Sequence, residues 1–197
     1  MAESVSQIHI FTLNTVLFPD GLLPLKVFEQ RYLELVKTCL REERPFGVCL
    51  IREGREVGQA AVPEPVGCLA TIVQWDMPQL GVFHLLVRGG ARFRIRETWV
   101  APNQLISAAV EPIPPDPPVH EVDALCREVL AALIERLEPQ RFPAPARLDD
   151  PAWVGYRLAE LLPLELAVKQ QLLEMRDAGQ RLARLRALLA PALRRPG

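Results

Sequence analysis

The sequence predicts an α+β protein, with a small β-barrel carrying one early helix followed by an α-helical bundle. Three observations predict it. Short β-prone runs separated by turn signals fill the chain as far as Val110. Five prolines in seven residues, Pro112-Ile113-Pro114-Pro115-Asp116-Pro117-Pro118, then form a stiff extended spacer that cannot donate to a ladder. Beyond the spacer no strand pattern remains, and apolar residues recur at helical spacing. The expected organisation is a barrel at 1–111, a linker at 112–118 and a helical bundle at 119–197.

A first strand is expected from Ile8 to Leu13. The stretch Leu13 to Tyr32 organises the rest of the chain. A short strand (Thr15 to Phe18) leads to a turn at Pro19-Asp20-Gly21, and an apolar run from Leu22 to Val27 contains Pro24. The next helix places Phe28, Tyr32, Leu35, Val36, Cys39 and Leu40 on one face, with Glu29, Arg31, Glu34, Lys37 and Arg41 elsewhere. Phe46 to Ile51 reads as a buried strand and Arg52 to Gly58 as a polar loop. Val66 to Trp75 and Val82 to Arg88 form a hairpin around a turn at Asp76 to Gly81, with Gly67 marking a bulge. Gly89-Gly90 breaks the chain. Arg92 to Trp99 then alternates, Phe93 and Ile95 pointing one way and Arg92, Arg94 and Arg96 the other. Leu105 to Val110 is the last strand.

In the second half, Val119 to Leu137 carries a helical stripe from Val122 to Leu137. A Pro-containing loop, Glu138 to Leu148, ends at Asp149-Asp150-Pro151. There the carboxylate accepts orphan amides and proline has none to orphan, so a helix begins and runs to Leu162. Leu164 to Met175 forms another helix. Asp177-x-x-Gln180 resembles a capping box opening the last.

The 197 residues are 49% hydrophobic with net charge −1, which suits an ordinary globular protein and gives no global reason to expect nucleic acid. Cys39, Cys49, Cys68 and Cys126 sit in apolar segments without metal-ligand spacing, so reduced core thiols in a cytoplasmic protein are expected. The N-terminus lacks the pattern of a signal peptide, and no apolar run is long enough to span a membrane.

Residues across nearly the whole chain resemble the N-terminal domain of the ATP-dependent protease Lon. They are Leu13-Asn14-Thr15-Val16-Leu17-Phe18-Pro19, then Pro24-Leu25, Phe28-Glu29 and Arg31-Tyr32, and Pro45-Phe46-Gly47-Val48. Val66-Gly67-Cys68-Leu69-Ala70, the run ending Arg92-Phe93-Arg94-Ile95, Leu161-Leu162-Pro163, Lys169-Gln170, Leu172-Leu173-Glu174 and Arg181-Leu182 continue the match. Asp20 stands where that family usually has glycine after the Phe-Pro pair, and Thr12 where proline is common. The resemblance implies a PUA-like barrel followed by a helical bundle, a region that helps Lon recognise unfolded or tagged substrates. It also implies that the chain stops where Lon would continue into its ATPase and peptidase domains.

No catalytic chemistry is expected. There is no G-x-x-x-x-G-K-[ST] loop. Lon-type proteolysis pairs a serine with a lysine; here Ser4 and Ser6 lie in a flexible tail, and Ser107 is mid-strand with no lysine nearby in sequence. His9, His84 and His120 are scattered, so no metal and no cofactor are expected.

Two features suit binding. Trp75, Met77 and Leu80 cluster at the hairpin tip, where they either offer an apolar patch to an unfolded polypeptide or fold back on the barrel rim. Arg92, Arg94 and Arg96 form either a basic strip for RNA, which PUA-like barrels bind elsewhere, or a solvated strand face. The expected function is non-catalytic binding of unfolded or tagged polypeptide, or of a protein partner, at the hairpin tip and in a groove between the two halves. The alternatives are an RNA-binding module and a protease-related enzyme. The sequence leaves the oligomeric state open.

Overall fold

A computed structural model describes residues 6–119, 121–137, 142 and 145–193, with side chains described as far as 190. The chain divides into two compact units, Met1–Pro114 and Pro115–Gly197.

The first unit contains β1 (Ser6–Leu13), β2 (Leu22–Val27), α1 (Gln30–Glu42), β3 (Phe46–Glu53), β4 (Val62–Pro63), β5 (Val66–Gln79), β6 (Val82–Val100) and β7 (Ile106–Pro112). Antiparallel pairings run β1–β7–β6–β5–β3, and a parallel pairing of β3 with β1 closes the ring. It is not a plain barrel. β2 and β4 attach outside the ring, and the outer parts of β5 and β6 leave it as an arm.

Strand alternation sorts the apolar side chains into two cores. Ile10, Cys49, Phe93, Ile106, Ala108 and Val110 fill the ring. The interior is narrow because the Phe93 ring lies over two glycines: a Cβ on Gly47 or Gly67 would come within 2.7 Å and 2.6 Å of its Cζ. On the outer face Phe11, Phe46, Val48 and Cys68 pack with Tyr32, Leu35, Val36 and Cys39 of α1.

Several sequence expectations change in the first unit. Thr15 to Phe18 joins no ladder, yet Val16, Leu17 and Phe18 are buried. Their backbone docks on Gly89, where a Cβ would meet the Phe18 carbonyl oxygen at 2.0 Å. Asp20 N–H donates to the Gly89 carbonyl and Gly89 N–H to the Gly21 carbonyl, both at 2.8 Å. Asp20 has φ +62°, the left-handed region that favours glycine and that aspartate tolerates better than most residues. The glycine pair does not end a strand; β6 runs through it without interruption. The expected turn at Asp76 to Gly81 shrinks to Leu80-Gly81, because β5 runs on to Gln79. Gly67 marks close packing, and the nearby register shift falls between Cys68 and Ala70. Phe28 precedes α1 and is exposed, whereas Arg31, expected away from the apolar face, is buried. Ser6, expected in a tail, opens β1 opposite Val110.

The second unit contains α2 (Ala124–Ile134), α3 (Pro151–Leu161), α4 (Leu166–Glu174) and α5 (Ala178–Leu193). The caps fall where the sequence puts them. Asp150 accepts from the Ala152 and Trp153 amides, and Asp177 from the Gln180 amide, contacts of a kind worth about 1 kcal/mol each. α2 is shorter than its stripe and is capped by Asp123. Cys126, Leu130, Val154, Leu158, Leu172 and Leu185 are buried. Arg181 is fully buried, and each of its guanidinium nitrogens has a partner. It donates to the carbonyls of Leu172 (3.0 Å) and Met175 (2.6 Å), to Asp116 (2.7 Å) and to the Tyr156 hydroxyl (3.2 Å), with its guanidinium 4.0 Å from the Tyr156 ring centre. The Pro-rich stretch is thus anchored to the bundle at Asp116, while Ile113 is buried in the first unit.

Candidate functional site

Among the described residues, no group of His, Cys, Asp and Glu is placed to hold a metal ion. His120 and Ser4 lie outside the described residues. All four cysteines are free and buried. Burial raises the thiols of Cys39 to about 11 and Cys126 to about 12, and pushes Cys49 up as well, so they are protonated near neutral pH. Ser107 meets no lysine; its Oγ is 2.9 Å from Nδ1 of His9, its direct partner across the β1–β7 ladder. Burial lowers the His9 pKa, so the ring is neutral near pH 7. This is a cross-strand hydrogen bond within a sheet, without the exposed turn that presents a nucleophile.

The arm carries the apolar candidates. Bulges between Ile72 and Gln74 and between Asp76 and Gln79 twist the outer part of β5 and turn several large side chains to solvent. Trp75 is 56% exposed, Met77 42% and Leu80 89%, with Val73 beside them at 43%. Trp75 lies opposite Leu85 and meets Phe83 edge-on at 5.9 Å, so its orientation is set by packing while much of its surface stays open.

A groove of about 260 Å³ runs beside β2, flanked by the exposed side chains of Phe28 and Val57. Phe11 and Tyr32, stacked at 3.8 Å, lie behind it. The loop bearing Val57 is held by Arg31, which donates to the carbonyls of Glu56 (3.0 Å) and Gln104 (3.1 Å) and pairs with Glu29 (3.2 Å). Glu29 also accepts from the Gly58 amide. Sequence reasoning missed this groove. Its one local signal was an arginine next to Tyr32 at the start of an otherwise amphipathic helix.

The arginine row does not form one solvated strip. Arg92 is 3% exposed and lines a cleft of about 700 Å³ between α1 and the strands. Arg94 is half-buried, and Arg96 is exposed and paired with Glu111. Arg92 is buried in the cleft it shares with α1, and a register shift between Ile95 and Glu97 interrupts the alternation at Arg96.

The model of the ATP-dependent protease La (LON) substrate-binding domain matches residues 7–190. Lon protease 2 of Herpetosiphon aurantiacus is 29% identical over 90% of this chain and 23% of its own length. Lon protease of Anaeromyxobacter dehalogenans is 30% identical over 82% of this chain and 20% of its own length. The chain therefore spans less than a quarter of these curated relatives. Among solved structures, the Lon N-terminal domain protein from Xanthomonas campestris aligns with TM-score 0.77 at 36% identity, covering 92% of this chain and 98% of that one. The N-terminal domain of Mycobacterium avium complex Lon protease, at 22% identity and TM-score 0.68, covers 92% of this chain and 97% of its own and shares the fold.

Proposed function

The chain belongs to the family of the ATP-dependent protease La (LON) substrate-binding domain, and from that premise we propose that it binds unfolded or tagged polypeptides without making or breaking covalent bonds. The observation that carries the reading is the exposed apolar row Val73, Trp75, Met77 and Leu80 on the arm. An unfolded chain offers apolar side chains in no fixed order. A flexible methionine beside a packed but open tryptophan suits that partner better than a shaped pocket would. The four buried cysteines, none in a disulfide, fit a reducing cytoplasm. The RNA alternative has little support, because Arg92, Arg94 and Arg96 do not share one exposed face.

The test is fluorescence anisotropy of labelled, reduced and carboxamidomethylated α-lactalbumin titrated with the protein at low and high salt. Binding that changes little with salt, and weakens about tenfold when Trp75, Met77 and Leu80 are all replaced by alanine, is expected. Absence of binding, or affinity that collapses with salt, would refute the reading.

A further inference from the structure

β2 pairs with β6 along one edge, and among the described residues no strand pairs with the other. The direction of its hydrogen bonds is fixed by a neighbouring contact. The β2–β6 register runs from Leu22 opposite Arg88 to Val27 opposite Phe83 without a shift. One step beyond Leu22, Gly89 N–H donates to the Gly21 carbonyl. Hydrogen-bonded pairs alternate in an antiparallel ladder, so Leu23, Leu25 and Val27 bond to β6. Leu22, Pro24 and Lys26 therefore turn their backbone groups away from it. Pro24 sits where its missing N–H costs the β6 ladder nothing, as proline in an edge strand does. The open edge offers the amides of Leu22 and Lys26 and the carbonyls of Leu22, Pro24 and Lys26.

The groove flanked by Phe28 and Val57 runs along this edge. It is lined by every residue from 23 to 29, successive positions of the strand and not alternate ones, so it follows the strand along its length. The free edge of outer β5 differs: it is bulged twice and carries Pro78, devices that discourage pairing. We propose that β2 is a docking edge for an extended polypeptide segment, which adds a strand beside Leu22–Val27 and lays apolar side chains between Phe28 and Val57. The chemistry of the edge selects the occupant. Only a polypeptide backbone in extended form supplies carbonyls and amides at strand spacing to meet such an edge, and the exposed Phe28 and Val57 favour apolar side chains on it. Pro24 leaves an acceptor without a donor at the centre of the edge, which keeps pairing weak and reversible. This inference rests on the polypeptide-binding reading and adds to the arm a second contact, along β2, with the way the bound backbone is held there.

The test uses the full chain and a labelled model peptide of about ten residues alternating valine and threonine. Two further peptides carry N-methyl groups on every second amide, in one frame or the other. In an added strand only one set of amides faces β2, so one frame should lose about tenfold in affinity while the other binds like the parent. Lys26→Pro, which removes an edge donor without touching the β6 ladder, should lose about tenfold, with Lys26→Ala within about twofold of wild type. Pro24→Ala supplies the missing donor and should bind a few-fold tighter.

If both methylated frames bind like the parent, or both lose equally, the inference is overturned while the polypeptide-binding reading stands. If the parent peptide and unfolded α-lactalbumin both fail to bind, that reading falls and takes the inference with it. A concentration-dependent dimer in sedimentation, abolished by Lys26→Pro, would also overturn it by assigning the edge to a second copy of the chain.

Discussion

Arg31 and Arg181 show why a residue's role is often illegible locally. Both are buried, and both satisfy backbone carbonyls of chain that must stop or turn: Arg31 reaches a carbonyl 73 residues away, and Arg181 a carboxylate 65 residues away. Nothing in the adjoining sequence announces such partners. The short-range roles were legible, because Asp150 and Asp177 act on amides two or three residues ahead. Replacing Arg181 by methionine would take the guanidinium from Asp116, whose side chain is only 3% exposed, and strip the Leu172 and Met175 carbonyls of their donor. We expect Arg181→Met to lose about 3–5 kcal/mol in urea unfolding, with Asp116→Asn in the same chain restoring part of it. An unchanged unfolding midpoint would show that the network does not hold the bundle together.

At the scale of elements, most helices and strands were written in periodicity, but their ends and bends were not. The sequence reads Gly67 as a bulge and Gly90 as part of a chain break, yet both lie inside continuous strands. Tertiary contact separates them. A Cβ on Gly67 would meet Cys49 Sγ and the Val48 carbonyl oxygen at 2.5 Å, whereas on Gly90 it would touch only Leu69, at 3.6 Å. Gly67→Ala should therefore cost about 3 kcal/mol by forcing β3 and β5 apart, and Gly90→Ala should change stability by less than about 1 kcal/mol. Thermal melts of the two variants decide it; equal costs would mean the ring yields more readily than its packing suggests. The arm shows the same limit. Asp76 to Gly81 has turn composition, yet pairing with β6 carries the strand to Gln79, and only there does the chain turn.

For the whole molecule, the division into two compact units predicts separable folding. A fragment of residues 1–114 should give a β-type circular dichroism spectrum and a cooperative melt. A fragment of 115–197 should be more stable than one of 119–197, because the shorter one loses the Asp116 partner of Arg181. Equal melting of the two bundle fragments would count against that anchor. By itself the sequence determined the α+β class, the strands-then-helices order and the caps, because these depend on periodicity, on prolines and on residue types within a few positions of one another, and the family through a resemblance carried by motifs spread along nearly the whole chain. It also singled out Trp75, Met77 and Leu80, since large apolar side chains beside a turn signal are a local feature. Only the tertiary structure decided that the arginine row is broken, that Arg31 and Arg181 are buried, and that β2 keeps an open edge beside a groove. Those outcomes depend on which strand becomes whose neighbour and on where a register shift falls. Such choices are made by packing between residues far apart in the chain, where sequence spacing carries no information.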